Sequence, residues 1–228
     1  MIYENINYNG NNSVSYNDFS KQPLILYKIL EFLMTETSQP AEDFWKCLVY
    51  DTKDALDKEN LTFEQKKAYI WTGDTEEQKF RVFMKPIIGS ILSDSKSQTQ
   101  FRLFRSDTIP ETRNNAVVCY DFNFFTNEKT CLVYYNGVLC ERTDLMESLF
   151  LTVFNGRDIG AGVGYLCFDR DINRGTVSNI GLTNSKTLFG RSLTMALRYI
   201  NLPAGSTCDG WYWKLKNKLF FKWRASPI

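Results

Sequence analysis

The chain of 228 residues contains no histidine, and this absence excludes several classes of functional site. Histidine-based catalytic triads, cysteine–histidine nucleophile pairs, HExxH zinc sites and mixed cysteine/histidine zinc sites all require an imidazole. The usual pH switch near neutrality is excluded for the same reason. Catalysis by carboxylates, lysine, tyrosine or a bound metal stays open, so an enzyme with this sequence would have few of the usual groups.

Closely spaced cysteine pairs and long apolar runs are absent as well. The sequence has no CxxC pair, which argues against a structural zinc site. The stretch MIYENINYNGNNS lacks the basic and apolar parts of a secretory leader, so we expect free thiols in a reducing cytoplasm. No run approaches the roughly 18 apolar residues that cross a bilayer, and we predict no membrane partner. The cysteines are Cys47, Cys119, Cys131, Cys140, Cys167 and Cys208.

The charges balance over the whole chain but not along it. The chain has 27 basic and 26 acidic residues. Residues 211–228 (WYWKLKNKLFFKWRASPI) hold five basic residues and no acid, which leaves 22 basic against 26 acidic residues elsewhere. Aromatic residues and leucines at odd positions alternate with these bases, so an extended strand would have one apolar and one basic face. The partner-binding candidates here are Trp211, Trp213, Lys214, Lys216, Lys218, Lys222, Trp223 and Arg224.

The aromatic and basic C-terminal segment, residues 206–228, allows three interpretations. It is an edge strand packed on its own domain, a segment that docks on an acidic protein partner, or a contact to nucleic acid or a membrane surface. The net charge of only +1 argues against sequence-reading DNA binding as the main role.

The N-terminal third is predicted to be an arm followed by helices. Residues 1–20 are rich in asparagine and tyrosine and carry too little apolar surface to fold alone. They form either a frayed terminus or an arm that orders against a neighbouring subunit. In residues 21–75 we predict helices over 23–34, over 40–56 and, opened by a Thr-x-x-Gln capping box at 62–65, up to residue 71. The candidate anchors of the arm are Tyr3, Tyr8 and Tyr16.

Residues 76–205 change from a helical period to the period of two that is typical of strands. Asn136-Gly137 between two apolar runs predicts a tight hairpin turn. One helix is predicted within the strands, over residues 144–155, with Asp144 as its cap, Glu147 answering it and Asn155-Gly156 closing it. The predicted class is α+β: N-terminal helices followed by an antiparallel β-sandwich or barrel-like domain with one inserted helix.

Two motifs point only weakly to ligand binding. The glycines from Gly160 to Gly164 follow a predicted helix and precede a strand, the reverse of a phosphate-binding loop, so we interpret them as a turn. Asp169, Asp171 and Asn173 are spaced like calcium ligands, but Arg174 replaces the glycine of such a loop, and a hairpin turn is the better interpretation. We therefore predict no catalytic residue, no cofactor and no metal beyond that weak calcium candidate.

A resemblance to a known family spans residues 79–199, a little over half of the chain. Its blocks, in order, are FRVFMKPIIGSIL, QTQFRLFR, NAVVCYDFNFF, NGVLCERTDLMESLFLTVFNG, GAGVGYLCFDR and TNSKTLFGRSLTMALRY. Their order resembles that of the neck or head–tail connector ring proteins of tailed bacteriophages, particularly those of crAss-like phages.

The resemblance implies a structural role without catalytic residues. Copies would form a ring, twelve-fold in this family, that joins the portal to the tail and continues the DNA channel. The implied partners are the portal protein, other neck, tail-ring or tail-hub proteins, and genomic DNA that passes without sequence readout. The implied location is the virion, assembled in the bacterial host cytoplasm. The alternatives are a small cytoplasmic nucleic-acid-binding module that uses the C-terminal segment, or an enzyme that works without histidine.

The docking interpretation of the C-terminal segment predicts the outcome of its deletion. Removal of residues 211–228 is expected to impair binding to a partner ring while the β domain stays folded. Co-sedimentation with the partner measures the first effect, and circular dichroism with thermal melting measures the second. Unfolding of the whole domain would instead support an edge strand that packs on its own sheet.

Overall fold

The computed structural model describes residues 19–73, 80–85, 98–111, 115–160, 165–168, 178–181 and 188–200. Within them the fold is α+β, with N-terminal helices and a mixed, curled β-sheet, as the sequence predicts. The helices are α1 (Ile25–Thr35), α2 (Gln39–Val49), α3 (Phe63–Ala68) and α4 (Arg142–Phe154), with 3-10 turns at Phe19–Leu24 and Ala55–Asp57.

Nine strands are present in the described residues, and seven of them form one sheet. The sheet order is β1-β2-β3-β9-β7-β6, with β8 also paired to β9. The β1–β2 pair is parallel and every other pair is antiparallel, whereas the sequence predicts an antiparallel domain. The strands are β1 (Val82–Phe83), β2 (Gln100–Pro110), β3 (Asn115–Asn127), β4 (Leu132–Tyr135), β5 (Val138–Glu141), β6 (Arg157–Asp158), β7 (Tyr165–Cys167), β8 (Ser178–Gly181) and β9 (Leu188–Ile200).

One hydrophobic core joins the helices to the sheet. Strand β3 alternates, so that its even-numbered residues from Val118 to Phe124 face the helices. The ring of Phe150 in α4 packs at a tilt against the rings of Phe44 in α2 and Phe122 in β3, with centroids 5.7 and 4.6 Å apart. The sequence predicts 21–75 and 76–205 as two consecutive regions. In the structure their apolar faces are buried against each other in one core.

Three local predictions are confirmed by the backbone. Thr62 and Gln65 exchange both hydrogen bonds of a capping box at the start of α3. Asn136 and Gly137 have φ values of 49° and 78°, as the two-residue hairpin turn requires. Gly156, with φ of 73°, closes α4 in the left-handed conformation.

Three helix limits differ from the predictions. Helix α2 ends at Val49 and not at residue 56, and α3 ends at Ala68 and not at residue 71. Helix α4 begins at Arg142 with Glu141 before it, so Asp144 lies in the first turn and is not the cap. The apolar period continues past α2, but Tyr50 is extended because the chain turns there to meet a buried arginine.

That arginine is Arg142, whose side chain is fully buried between α2, the β3–β4 turn and α4. Its guanidinium donates to the carbonyls of Cys47 (2.7 Å), Tyr50 (2.8 Å) and Thr52 (2.7 Å). Its Nε donates to the carbonyl of Thr130 (2.6 Å). Because the last carbonyls of a helix have no partner inside it, α2 ends where this buried cation donates hydrogen bonds to the carbonyls of Cys47 and Tyr50. Burial lowers the pKa of Arg142 from its ordinary value.

Asp51, in the same stretch, ties the end of α2 to the sheet. One of its carboxylate oxygens pairs with Arg81 beside β1 at 2.7 Å. The other accepts from the backbone N–H and the hydroxyl of Thr99, just before β2, at 3.0 and 3.1 Å. Residues 47–52 therefore connect the helices, the hairpin and the sheet through hydrogen bonds to charged groups, which are stronger than neutral ones.

Substitution of Arg142 tests this junction. Arg142→Met is expected to lower the free energy of unfolding by at least about 3 kcal/mol, because it leaves several buried carbonyls without donors. Arg142→Lys is expected to restore only part of this, since an ammonium lacks the planar fork of five donors. Urea denaturation measures both, with Arg157→Lys on exposed β6 as the control. A loss for Arg142→Met no larger than that of the control would contradict this role.

Candidate interaction surface

All residues that the sequence predicts as binding candidates lie outside the described residues. This holds for the candidate anchors of the arm, the weak calcium loop and the C-terminal segment, so these three predictions stay predictions. The residues concerned are Tyr3, Tyr8, Tyr16, Asp169, Asp171, Asn173, Trp211, Trp213, Lys214, Lys216, Lys218, Lys222, Trp223 and Arg224.

Metal sites require grouped ligands, and redox sites require reactive thiols. Within the described ranges no three histidine, cysteine, aspartate or glutamate side chains are grouped so that they could hold a metal ion. Cys47, Cys119, Cys131 and Cys140 are free thiols. Burial raises the pKa of Cys47 to about 12, which disfavours its nucleophilic thiolate. Among the helices of these ranges, none has the length and apolarity that a membrane span requires.

The most prominent surface feature is the hairpin formed by β4 and β5. It is a separate two-stranded sheet beside the main one. The N–H of Tyr134 donates to the carbonyl of Lys53 at 2.8 Å, and the N–H of Arg142 donates to that of Cys131 at 2.7 Å. Val133 is fully buried in the main core. The hairpin is therefore anchored at its base and along one edge, and it can present side chains in a fixed arrangement.

Three large apolar side chains of this hairpin are exposed. Tyr134 is 48% exposed, Leu139 42% and Val138 62%. Tyr134 and Leu139 are register partners, as are Leu132 and Glu141, so these four residues lie on one side of the hairpin. We call these four residues the hairpin face. Exposed apolar residues grouped on one rigid element are typical of a protein-binding surface.

The hairpin face continues into a cluster of carboxylates at the start of α4. Arg191 of β9 lies 4.0 Å from Glu141, 3.1 Å from Asp144 and 3.6 Å from Glu147. Among the residues that the structure describes, one guanidinium therefore faces three carboxylates, which leaves this cluster with a net negative charge. The side chain of Asp144 is 56% exposed, so this charge is accessible to a partner. We call Glu141, Asp144 and Glu147 the acidic end.

The opposite side of the main sheet carries a second arginine. Arg102 of β2 is buried, lies 4.4 Å from the ring of Phe125 and donates to Gln100 at 3.2 Å. No described residue accepts a hydrogen bond from its Nε, and burial lowers the pKa of Arg102 to about 10. A buried guanidinium with so few acceptors is costly and favours an anionic neighbour.

The sequence contains signals for the hairpin face that composition alone does not reveal. The alternation of Tyr134, Leu139 and Glu141 across the Asn-Gly turn places them on one side, but it does not say which side the core covers. The buried Val133 and the exposed Tyr134 differ only through their position in the fold. No sequence pattern distinguishes Arg142 from the chain's other basic residues, so its structural role is not predictable from the sequence.

Comparisons with known proteins add no identification, since no family model, curated protein or solved structure matches the chain. The surface is therefore defined by its own residues. Its apolar part can bind aromatic or aliphatic side chains, and its acidic end can bind cations. The arrangement fits a protein partner that carries both.

The buried carboxyl of Glu147 predicts a pH dependence of stability. Burial raises its pKa above the ordinary value of 4.5, so the folded chain binds the proton more tightly than the unfolded chain does. The contribution of this group is fully present below pH 4.5 and is lost as the pH rises through the folded pKa. As the pH rises above 4.5, the free energy of unfolding is expected to fall less in Glu147→Gln than in the natural sequence.

Urea denaturation between about pH 4 and 7 measures this slope. Glu64→Gln, at an exposed position in α3, is the matched control. An unchanged slope in Glu147→Gln would show that another group dominates the titration.

Proposed function

We propose that this chain is a structural, non-enzymatic subunit of a ring in the neck of a tailed bacteriophage. The ring would connect the portal to the tail and continue the DNA channel within the virion. The order of the sequence blocks between residues 79 and 199 supports this role. The resemblance implies a ring of twelve copies. It implies as partners the portal protein and other neck, tail-ring or tail-hub proteins.

The positions of these blocks in the fold support the proposal. Residues 98–105 begin β2, residues 115–125 are most of β3, and residues 183–199 include most of β9. Residues 136–156 include the hairpin turn, β5 and all of α4. The blocks therefore lie in the central strands and in the elements that carry the hairpin face and acidic end.

The observation that carries the proposal is the rigidly anchored hairpin with exposed Tyr134, Val138 and Leu139. A subunit of a cyclic ring contacts its two neighbours head to tail, so it needs two different surfaces that are complementary to each other. An anchored apolar element beside a charged cluster is suited to one of these two surfaces. Three central strands of 11 to 13 residues supply the stiff body that such a subunit needs.

The second candidate is a nucleic-acid-binding module. The five basic residues at 211–228 favour it, since lysine and arginine neutralise phosphates and release counterions. Under this alternative the chain binds DNA with a steep salt dependence, and replacing Lys214, Lys216 and Lys218 by glutamine abolishes the binding. A connector would instead let DNA pass without strong or sequence-dependent affinity.

The proposal predicts that the purified full chain forms rings, alone or with its portal protein. Negative-stain microscopy and mass photometry measure the presence of rings and their mass. An unrelated acidic protein in place of the portal is the control for non-specific association. A chain that stays strictly monomeric and binds no portal protein would contradict the ring function.

A further inference from the structure

We propose that the hairpin face and the acidic end receive the C-terminal segment, residues 206–228, of a neighbouring copy of this chain. The inference rests on the ring function and names the contact that closes the ring. It is carried by the complementarity between this surface and the sequence of the segment.

The apolar half of the surface fits the aromatic residues of the segment. Tyr134 and Leu139 lie opposite each other and expose 48% and 42% of their areas. Side chains of this size at a fixed site are suited to bind tryptophan or phenylalanine, which contribute most of the binding energy in many interfaces. The segment supplies Trp211, Trp213, Phe220, Phe221 and Trp223.

The charged half of the surface fits the basic residues. Glu141 lies on the hairpin face itself, and Asp144 follows it in the first turn of α4. Within the described ranges, Arg191 is the one cation paired with these three carboxylates, so a lysine or arginine from outside gains attraction there. Residues 211–228 carry five such bases and no acid to oppose them. Their long side chains can reach the carboxylates while the neighbouring aromatic residues pack on the hairpin.

The same charges disfavour nucleic acid as the occupant. Phosphates would be repelled by Glu141 and Asp144, and Leu139 and the ring of Tyr134 offer them apolar surface and no cationic group. A basic, aromatic protein segment satisfies both halves, whereas a polyanion satisfies neither.

The geometry of β9 favours a neighbouring copy over the same chain. Arg191, at the acidic end, and Ile200, the last residue of β9, are nine residues apart along the strand, about 30 Å. Residues 201–210 connect Ile200 to Trp211 and span at most about 40 Å when fully extended. For Trp211 to lie at the acidic end of its own chain, this connection would have to be stretched over most of its length, which is entropically costly. A neighbouring copy can place its acceptor surface wherever the ring geometry requires.

A binding titration tests the contact without depending on ring assembly. A labelled peptide of residues 206–228, with Cys208→Ser, is titrated against the full chain in which Trp211→Ser, Trp213→Ser and Trp223→Ser disable its own segment. Fluorescence anisotropy is expected to show binding. The dissociation constant is expected to rise roughly tenfold or more with Tyr134→Ser and Leu139→Ser together, and measurably with Asp144→Asn.

The matched controls lie on the exposed half of β2. Ile109→Ser removes an apolar side chain that is 39% exposed, and Asp107→Asn removes an exposed carboxylate. Both should leave the affinity unchanged, and melting temperatures verify that every variant folds. No binding of the peptide, equal binding by the hairpin and control variants, or equal binding of a scrambled peptide would overturn the proposal.

Microscopy of the same variants separates this proposal from the ring function. Rings formed by the natural sequence and lost with Tyr134→Ser and Leu139→Ser support the contact between copies. Rings that persist in this variant overturn the contact and leave the ring function standing. Peptide binding by a chain that forms no ring, with or without portal protein, would assign the segment to its own chain and contradict both.

Discussion

The arrangement of the elements depends on the buried guanidinium of Arg142. Its five donors meet carbonyls of residues 47–52, at the end of α2 and in the following loop, and of Thr130 and Leu132 at the start of the hairpin. Two stretches of the chain that are distant in sequence therefore meet at one side chain. Burying a cation is costly unless acceptors surround it, and around Arg142 the acceptors are carbonyls that the end of α2, the following loop and the start of the hairpin would otherwise leave unsatisfied. The same residue begins α4, which makes the junction also the origin of the inserted helix.

This junction explains why the hairpin can serve as a binding element. An isolated two-stranded hairpin is marginal in water. Here Arg142 directly follows β5, and Val133 inserts into the core, so the base of the hairpin is fixed by the most constrained part of the fold. The apolar side chains at its outer side remain accessible because the core takes only the other side. Stability at the base and exposure at the tip are therefore two consequences of one arrangement.

The sequence predicts much of the fold because its local signals are strong. The alternation in β3, the Asn-Gly turn and the capping box at Thr62 and Gln65 each depend on neighbouring residues only, and each is confirmed. The end of α2, the start of α4 and the parallel β1–β2 pair depend on contacts between distant residues, to Arg142 above all, and no local pattern encodes them. For the interaction surface, the sequence predicts the hairpin but not which of its two sides packs on the core. The segments it singled out lie outside the described residues.

A head-to-tail contact between copies links these observations to the proposed ring. An acidic, apolar surface on the body and a basic, aromatic segment at its end would give each subunit two different and complementary contacts, which is what cyclic assembly requires. The most direct measurement is a side-chain-resolution reconstruction of the assembled ring. We predict that Tyr134 and Leu139 are buried against aromatic residues of an adjacent copy, with a basic side chain at Asp144. A ring in which the hairpin face remains exposed to solvent would contradict this.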